Sequence, residues 1–248
     1  MNPLSTLTWA TGAAMVIVGG ACCLGCRHTT PSPVMKYFPV ICTAAIPVTS
    51  RTNLEHLKDV PVPEIVKFGG VTCVNSAGKD VVVTTWREFI AEGGEKRTEK
   101  TGADLDMSGW FWRTRGHIPF IEIATPATNS FVRNLKPGQE LVRLLPLTLA
   151  PLLSEESNDV AEAIKQHQSW LQFYPETRIT KQTDTEMSLN MDRFSMQVTI
   201  LAYGDFNHDG FDDMLVYYDQ GVTDGTFAYS GVAVLTRTNA SAPLESIP

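Results

Sequence analysis

The sequence predicts an α+β fold, mainly antiparallel β-sheet with one clear amphipathic helix, on three observations. Residues 178–237 form a series of short apolar, β-branched and aromatic runs separated by turn residues, the pattern of neighbouring strands. Upstream of them, Val160, Ile164, His167, Leu171 and Tyr174 recur at spacings of four, three, four and three, which places them on one face of a helix. A chain of 248 residues with 43% hydrophobic content can bury one good core or two small ones, with disorder expected only at its ends. The formal charge of -7 and the lack of any Lys/Arg cluster argue against a nucleic-acid partner, which needs a basic stripe to displace counterions.

Residues 9–26 contain no charged side chain and run directly into Arg27, His28 and a Thr/Pro/Ser stretch, as an export or anchoring segment does. The run is rich in Gly, Ala and Cys and short for a bilayer-crossing helix, which takes about twenty strongly apolar residues, so a cleaved signal suits it better. Its end, Cys23-Leu24-Gly25-Cys26, resembles a bacterial lipoprotein signal, in which a small residue precedes a Cys that is lipidated and becomes the mature N-terminus. Cys23 stands where that pattern has Leu, and no Lys or Arg precedes the run. The resemblance implies a signal over residues 1–26, lipidation at Cys26 and a chain anchored to a membrane of the cell envelope, facing the periplasm or the exterior. An uncleaved membrane anchor and free secretion stay open. Residues 27–38 then read as a short tether.

A single globular domain is expected over residues 39–238, followed by a polar tail at 239–248. Beyond the segment 1–26, Cys42 and Cys73 are the two cysteines left, and an even count in an exported chain suggests a disulfide between them. The alternative is two buried thiols packing as small apolar groups. Val60-Pro61-Val62-Pro63 marks a connection or an edge, since proline fits neither a helix interior nor a central strand.

Two apolar runs, residues 80–86 and 117–124, predict strands. Between them, residues 92–102 carry six charges of mixed sign, as a solvated loop does. Asp104-Leu105-Asp106-Met107-Ser108-Gly109 repeats the opening of a calcium loop, but Trp112 and Arg115 occupy the closing positions, which favours a polar turn. The neighbouring Trp110-Phe111-Trp112 is expected in the core, because aromatic side chains carry the largest burial gain. The amphipathic helix is expected over about residues 155–174, opening near Ser154 with Glu155 and Glu156 at the positive end of its dipole and stopped by Pro175.

The chemically most informative stretch is Gly204-Asp205-Phe206-Asn207-His208-Asp209-Gly210-Phe211-Asp212-Asp213. Calcium takes six to eight oxygen ligands, and short acidic or amide side chains at alternate positions of a tight loop supply them. Asp205, Asn207 and Asp209 hold those positions, Gly210 follows where the backbone must turn sharply, and the Phe211 carbonyl and the Asp213 carboxylate close the set. His208 and Asp212 fall between ligand positions and are expected to face solvent. An EF-hand would need Glu where this chain has Val216 and helices on both sides, whereas the flanks here are strand-like. A polar turn without a metal is the plainer alternative.

A D-x-N-x-D-G-x-x-D loop between strands resembles the FG-GAP or VCBS repeat of integrin-type β-propellers and bacterial envelope proteins. The resemblance spans about residues 198–236 and implies calcium (Ca2+) held in a C-terminal β-hairpin by Asp205, Asn207, Asp209, Phe211 and Asp213. A propeller is not implied, since it is built from many copies and this chain has one. No H-E-x-x-H, G-x-S-x-G or glycine-rich phosphate or dinucleotide pattern occurs. The expected function is therefore non-enzymatic: an exported envelope protein with a structural calcium loop, binding or scaffolding a protein or glycan partner. An exported hydrolase with an unrecognised active site is the alternative.

Overall fold

Two long strands in the C-terminal half, both buried on both faces, set the architecture. The computed structural model describes residues 38–46, 48–93, 102–151, 157–223, 225 and 228–247. In chain order the elements are β1 (Ile41–Cys42), α1 (Arg51–Asp59), α2 (Pro63–Lys67), β2 (Val71–Val74), β3 (Asp80–Val83), α3 (Trp86–Ala91), α4 (Gly102–Arg115), α5 (Ile118–Ile123), β4 (Asn129–Ser130), α6 (Gln139–Leu144), α7 (Ser157–Lys165), α8 (Trp170–Phe173), β5 (Arg178–Gln182), β6 (Glu186–Met191), β7 (Phe194–Gly204), β8 (Phe211–Val222), β9 (Ala228–Thr236) and β10 (Glu245–Ile247). A 3-10 turn at Leu147–Leu149 follows α6. The fold is mixed α and β, with a large antiparallel sheet and several helices.

The main sheet runs β10-β9-β8-β7-β6-β5, antiparallel throughout. Beyond the stretch of β7 that pairs with β6, β1 takes over against Ala202 and Tyr203. At the start of β8, β4 adds a short parallel pairing, Asn129 with Phe211 and Ser130 with Asp212. A separate hairpin joins β2 and β3.

Successive side chains of a strand point to opposite faces, and here each face carries its own core. Met196, Val198, Met214, Val216 and Leu235 pack with Leu141, Val142, Val160 and Trp170 from α6 to α8. Leu201, Leu215, Tyr217 and Val234 pack with Leu54, Ile65, Trp86, Phe89, Phe111, Ile118 and Ile121 from α1 to α5. That double cover explains why β7 and β8 read as continuous apolar runs and not as alternating ones. Trp86, Phe89, Phe111 and Trp112 form one aromatic group, with ring centroids 5.1 to 6.1 Å apart. Trp110, next to them, is exposed.

Several local expectations are corrected. The run at 117–124 is the helix α5: Pro119 sits in its first turn, where a missing N–H costs nothing, and Ile118 and Ile121 bury one face. The strand expected over 80–86 stops at Val83, because Thr85 caps α3 through a reciprocal bond pattern with Glu88. Residues 104–109 lie within α4 and are no turn, so tertiary packing of Phe111 overrides the turn preference of Asp and Gly. The helix expected over 155–174 is two pieces: His167, at φ 54°, leaves the helical region after α7, and Ser169 starts α8 with a second capping box to Gln172. Ser154, Glu155 and Glu156 lie outside the described residues, as do the signal, Cys26 and most of the tether.

Cys42 and Cys73 are both free, so the expected bridge is not formed. β1 fixes Cys42 opposite Ala202, while the hairpin fixes Cys73 opposite Val81. Each packs as a small apolar group on the same core, and burial pushes the Cys42 thiol up to about 11 and the Cys73 thiol upward as well. Among the described residues no helix is long and apolar enough to cross a membrane.

Candidate metal centre

The turn between β7 and β8 closes on the pair Gly204 and Asp213 and holds every residue of the expected ligand set. Its backbone folds back through two left-handed residues, His208 at φ 67° and Gly210 at φ 86°. Asp205 organises the inside of the turn: one carboxylate oxygen accepts the Asp209 N–H at 3.1 Å and the other the Gly210 N–H at 3.0 Å. Asn207 Oδ1 also accepts from Asp209 N at 3.0 Å, and Asp209 Oδ1 accepts from Phe211 N at 2.8 Å. The Asn207 amide donates to Asp209 Oδ2 at 2.9 Å.

The turn is also a docking point for a distant segment, which sequence spacing did not reveal. Thr125 donates its N–H to the Asp205 carbonyl at 2.9 Å and its hydroxyl to Asp205 Oδ2 at 3.0 Å. The Gly210 carbonyl accepts from the N–H groups of Thr128 and Asn129 and from the Thr128 hydroxyl. The Phe131 ring stacks on Phe211 with centroids 5.8 Å apart. The hairpin tip thus holds down residues 125–131, the stretch that leads from α5 toward α6.

Burial divides the acidic side chains in an unexpected way. Asp205, Asp212 and Asp213 are 2%, 1% and 0% exposed, while Asp209 and His208 lie at the surface. Asp212 was expected to face solvent; it is buried because Arg133 reaches it, with NH2 2.9 Å from Oδ1 and Nε 2.5 Å from Oδ2. Asp213 points to the other side of β8. Its Oδ2 accepts the Phe206 N–H at 2.9 Å, and its Oδ1 has no hydrogen-bond partner, the Thr236 hydroxyl lying close without bonding geometry. Burial first, and then the nearby charges of Asp209 and Asp205, push the Asp213 carboxyl up to about 6. Among the described residues, no Lys, Arg or His is ion-paired with Asp205, Asp209 or Asp213.

The donor chemistry is that of a hard cation: carboxylate, amide and carbonyl oxygens, each with acceptor capacity beyond the bonds described. The orphaned Asp213 Oδ1 is the atom such an ion would satisfy. Among the described residues no group of three His, Cys, Asp or Glu side chains is already gathered as a metal cluster, so the carboxylates of Asp205, Asp209 and Asp213 are near one another without converging. Compared with protein-family models, curated proteins and solved structures, the chain has no match. The likeness of the loop to FG-GAP and VCBS repeats rests on its own residues alone.

Proposed function

We propose that the chain is a non-catalytic protein of the cell envelope, exported and held at a membrane through a lipid on Cys26, with one structural calcium ion in the turn 205–213. Asp213 supports this reading best. It is a carboxylate with no exposure, one oxygen unpartnered and two further carboxylates close by. Burying such a group is costly unless a counter-charge meets it, and among the described residues no side chain is ion-paired with it. Asp205, Asn207, Asp209, the Phe211 carbonyl and Asp213 would hold the ion, which would contribute charge neutralisation and a cross-link between β7, β8 and the segment at 125–131. That role is mechanical: it stiffens a surface for binding or scaffolding.

Thermal melting with calcium and with chelator tests the proposal. A ligand that binds only the folded chain adds about 2.7 kcal/mol at a hundred times its dissociation constant. Calcium should raise the melting temperature, Asp205→Ala and Asp209→Ala should abolish the rise, and His208→Ala should keep it. A melting curve indifferent to calcium and chelator alike returns the stretch to a plain polar turn. For the anchor, incorporation of a labelled fatty acid should disappear in Cys26→Ser, and equal labelling of both proteins rules that cysteine out.

A further inference from the structure

Strand alternation divides the sheet face that carries Leu215 and Tyr217 into an apolar half and a polar half. The apolar half, packed on α1 to α5, ends at the cross-strand row Glu186, Thr199 and Tyr217. Over that row α4 lays Arg113, 5.8 Å from the centre of the Tyr217 ring and 3.6 Å from Glu186. Beyond it, toward the end of the sheet away from the turn at 205–213, the face opens into a groove of about 310 Å³ floored by β5 to β9. Two further rows make its floor: Ser188, Gln197 and Asp219, then Asn190, Ser195, Gly221 and Ala228. Thr180 of the bulged strand β5 stands at one side.

The chemistry of this floor is neutral and hydrogen-bonding. Ser188, Asn190 and Gln197 are half-buried, yet among the described residues the hydroxyl and both amides have no hydrogen-bond partner. Thr199, in the row above on the same face, is 5% exposed, and its hydroxyl has no partner either. Asp219 is the one charged side chain among the described lining residues. Hydroxyls and amides each donate and accept, as the hydroxyls of a sugar do. We propose that the groove binds a neutral oligosaccharide, laid across the strands and hydrogen-bonded by Ser188, Asn190, Ser195 and Gln197, with Gly221 and Ala228 leaving room for its rings. Five strands about 4.8 Å apart give it a floor about 19 Å across. A polyanion or polycation would find too few counter-charges, and an apolar ligand would leave the amides buried and unpaired. A peptide could not pair its main chain there, because the backbone groups of β6 to β9 are paired within the sheet. The groove deepens the binding role proposed above but shares no residue with the turn at 205–213, so it stands whether or not that turn holds calcium.

Screening the full chain against immobilised neutral hexose and N-acetylhexosamine oligomers, uronic acid oligomers, and one acidic and one basic peptide tests the proposal. A neutral oligomer should be retained, and calorimetric titration with it should show saturable binding of equal affinity in low and high salt. Asn190→Ala/Gln197→Ala should melt like the wild type, since neither amide is bonded within the chain, and should bind the oligomer about tenfold more weakly. Ser195→Trp, at an exposed position of the floor, should fill the groove and abolish binding. No neutral oligomer retained, a uronic acid oligomer or a peptide preferred, or wild-type affinity in either folded variant would each overturn the proposal.

Discussion

Arg133 ion-pairs with Asp212, hydrogen-bonding Oδ1 at 2.9 Å with Nε 2.5 Å from Oδ2, while the next residue on the same strand, Asp213, has one oxygen bonded to a backbone N–H and, among the described residues, no cationic partner for the other. Two adjacent buried carboxylates are thereby given opposite treatments. Strand geometry turns them to opposite sides, and among the described residues a counter-charge is ion-paired with Asp212 alone. The difference marks Asp212 as an ion-paired charge and Asp213 as the carboxylate that the proposed calcium ion would meet.

The Arg133 pairing can be tested apart from any metal. Arg133→Ala leaves Asp212 buried without its partner and should destabilise the fold by about 2–4 kcal/mol, somewhat below the cost of breaking a fully buried pair because Arg133 is itself 45% exposed. Asp212→Asn in that background should recover part of the loss. Urea unfolding of the two variants measures both, and no recovery in the double variant would mean that Arg133 acts through packing of its stem and not through charge.

For Asp213 the expected sign is reversed. Asp213→Asn keeps an oxygen to accept the Phe206 N–H and removes the charge that burial and the neighbouring carboxylates oppose. In chelator the variant should therefore be more stable than the wild type, by about 1–3 kcal/mol. In calcium the order should invert, since the wild type gains a ligand that the variant has lost. Melting curves under the two conditions decide it; a variant less stable than the wild type in both would show that the carboxylate does not need a cation.

The strands of the C-terminal half were legible because β-branched and aromatic runs there are long and end at clear turns, with Gly204 and Gly210 bracketing the loop. The helices on the second face were not. Ile118 to Ile123 is apolar enough for either strand or helix, and only its packing against the α1–α4 side chains decides. At the loop, local spacing revealed the donors Asp205, Asn207, Asp209 and Asp213, but their surroundings come from Thr125 and Arg133, about eighty residues away. No local pattern encodes a contact of that separation. The Thr85 and Glu88 capping box was present in the sequence as T-x-x-E and would have ended the preceding strand correctly.

Two glycines, one inside α4 and one just past its end, should respond to alanine in opposite directions. A Cβ on Gly116, just past the helix, would stand 2.7 Å from the Trp112 carbonyl oxygen and 2.8 Å from Val232 Cγ2, so backbone or β9 must shift. Gly116→Ala should cost about 1–3 kcal/mol. On Gly109, inside the helix, the nearest atoms are the Ser230 and Tyr217 hydroxyl oxygens at 3.6 and 3.9 Å, ordinary contact distances. Gly109→Ala should add up to about 1 kcal/mol through helix propensity. Denaturant midpoints of the two variants on the same side of the wild type would contradict the close approach of α4 to β9.

His117 makes the stability of the chain depend on pH. It is 1% exposed, neither ring nitrogen has a hydrogen-bond partner, and Arg115 lies beside it, itself buried with Glu64 as the carboxylate that acts on it. Burial first and the Arg115 charge second lower the His117 pKa from its usual 6.5 to about 3. The ring is therefore neutral in the folded chain, whereas in the unfolded chain it takes up a proton below about 6.5. The unfolded state binds more protons between those two values, so the folded state has its full stability above 6.5 and loses it as pH falls toward 3. The slope from this one group is at most about 1.4 kcal/mol per pH unit. His117→Met, which fills similar volume without a titratable ring, should flatten that part of the profile while carboxylates keep the remainder. Urea midpoints measured across the window for wild type and variant give the difference directly, and two profiles that stay parallel would show that the protonated ring finds water or a carboxylate on unfolding no better than it does inside.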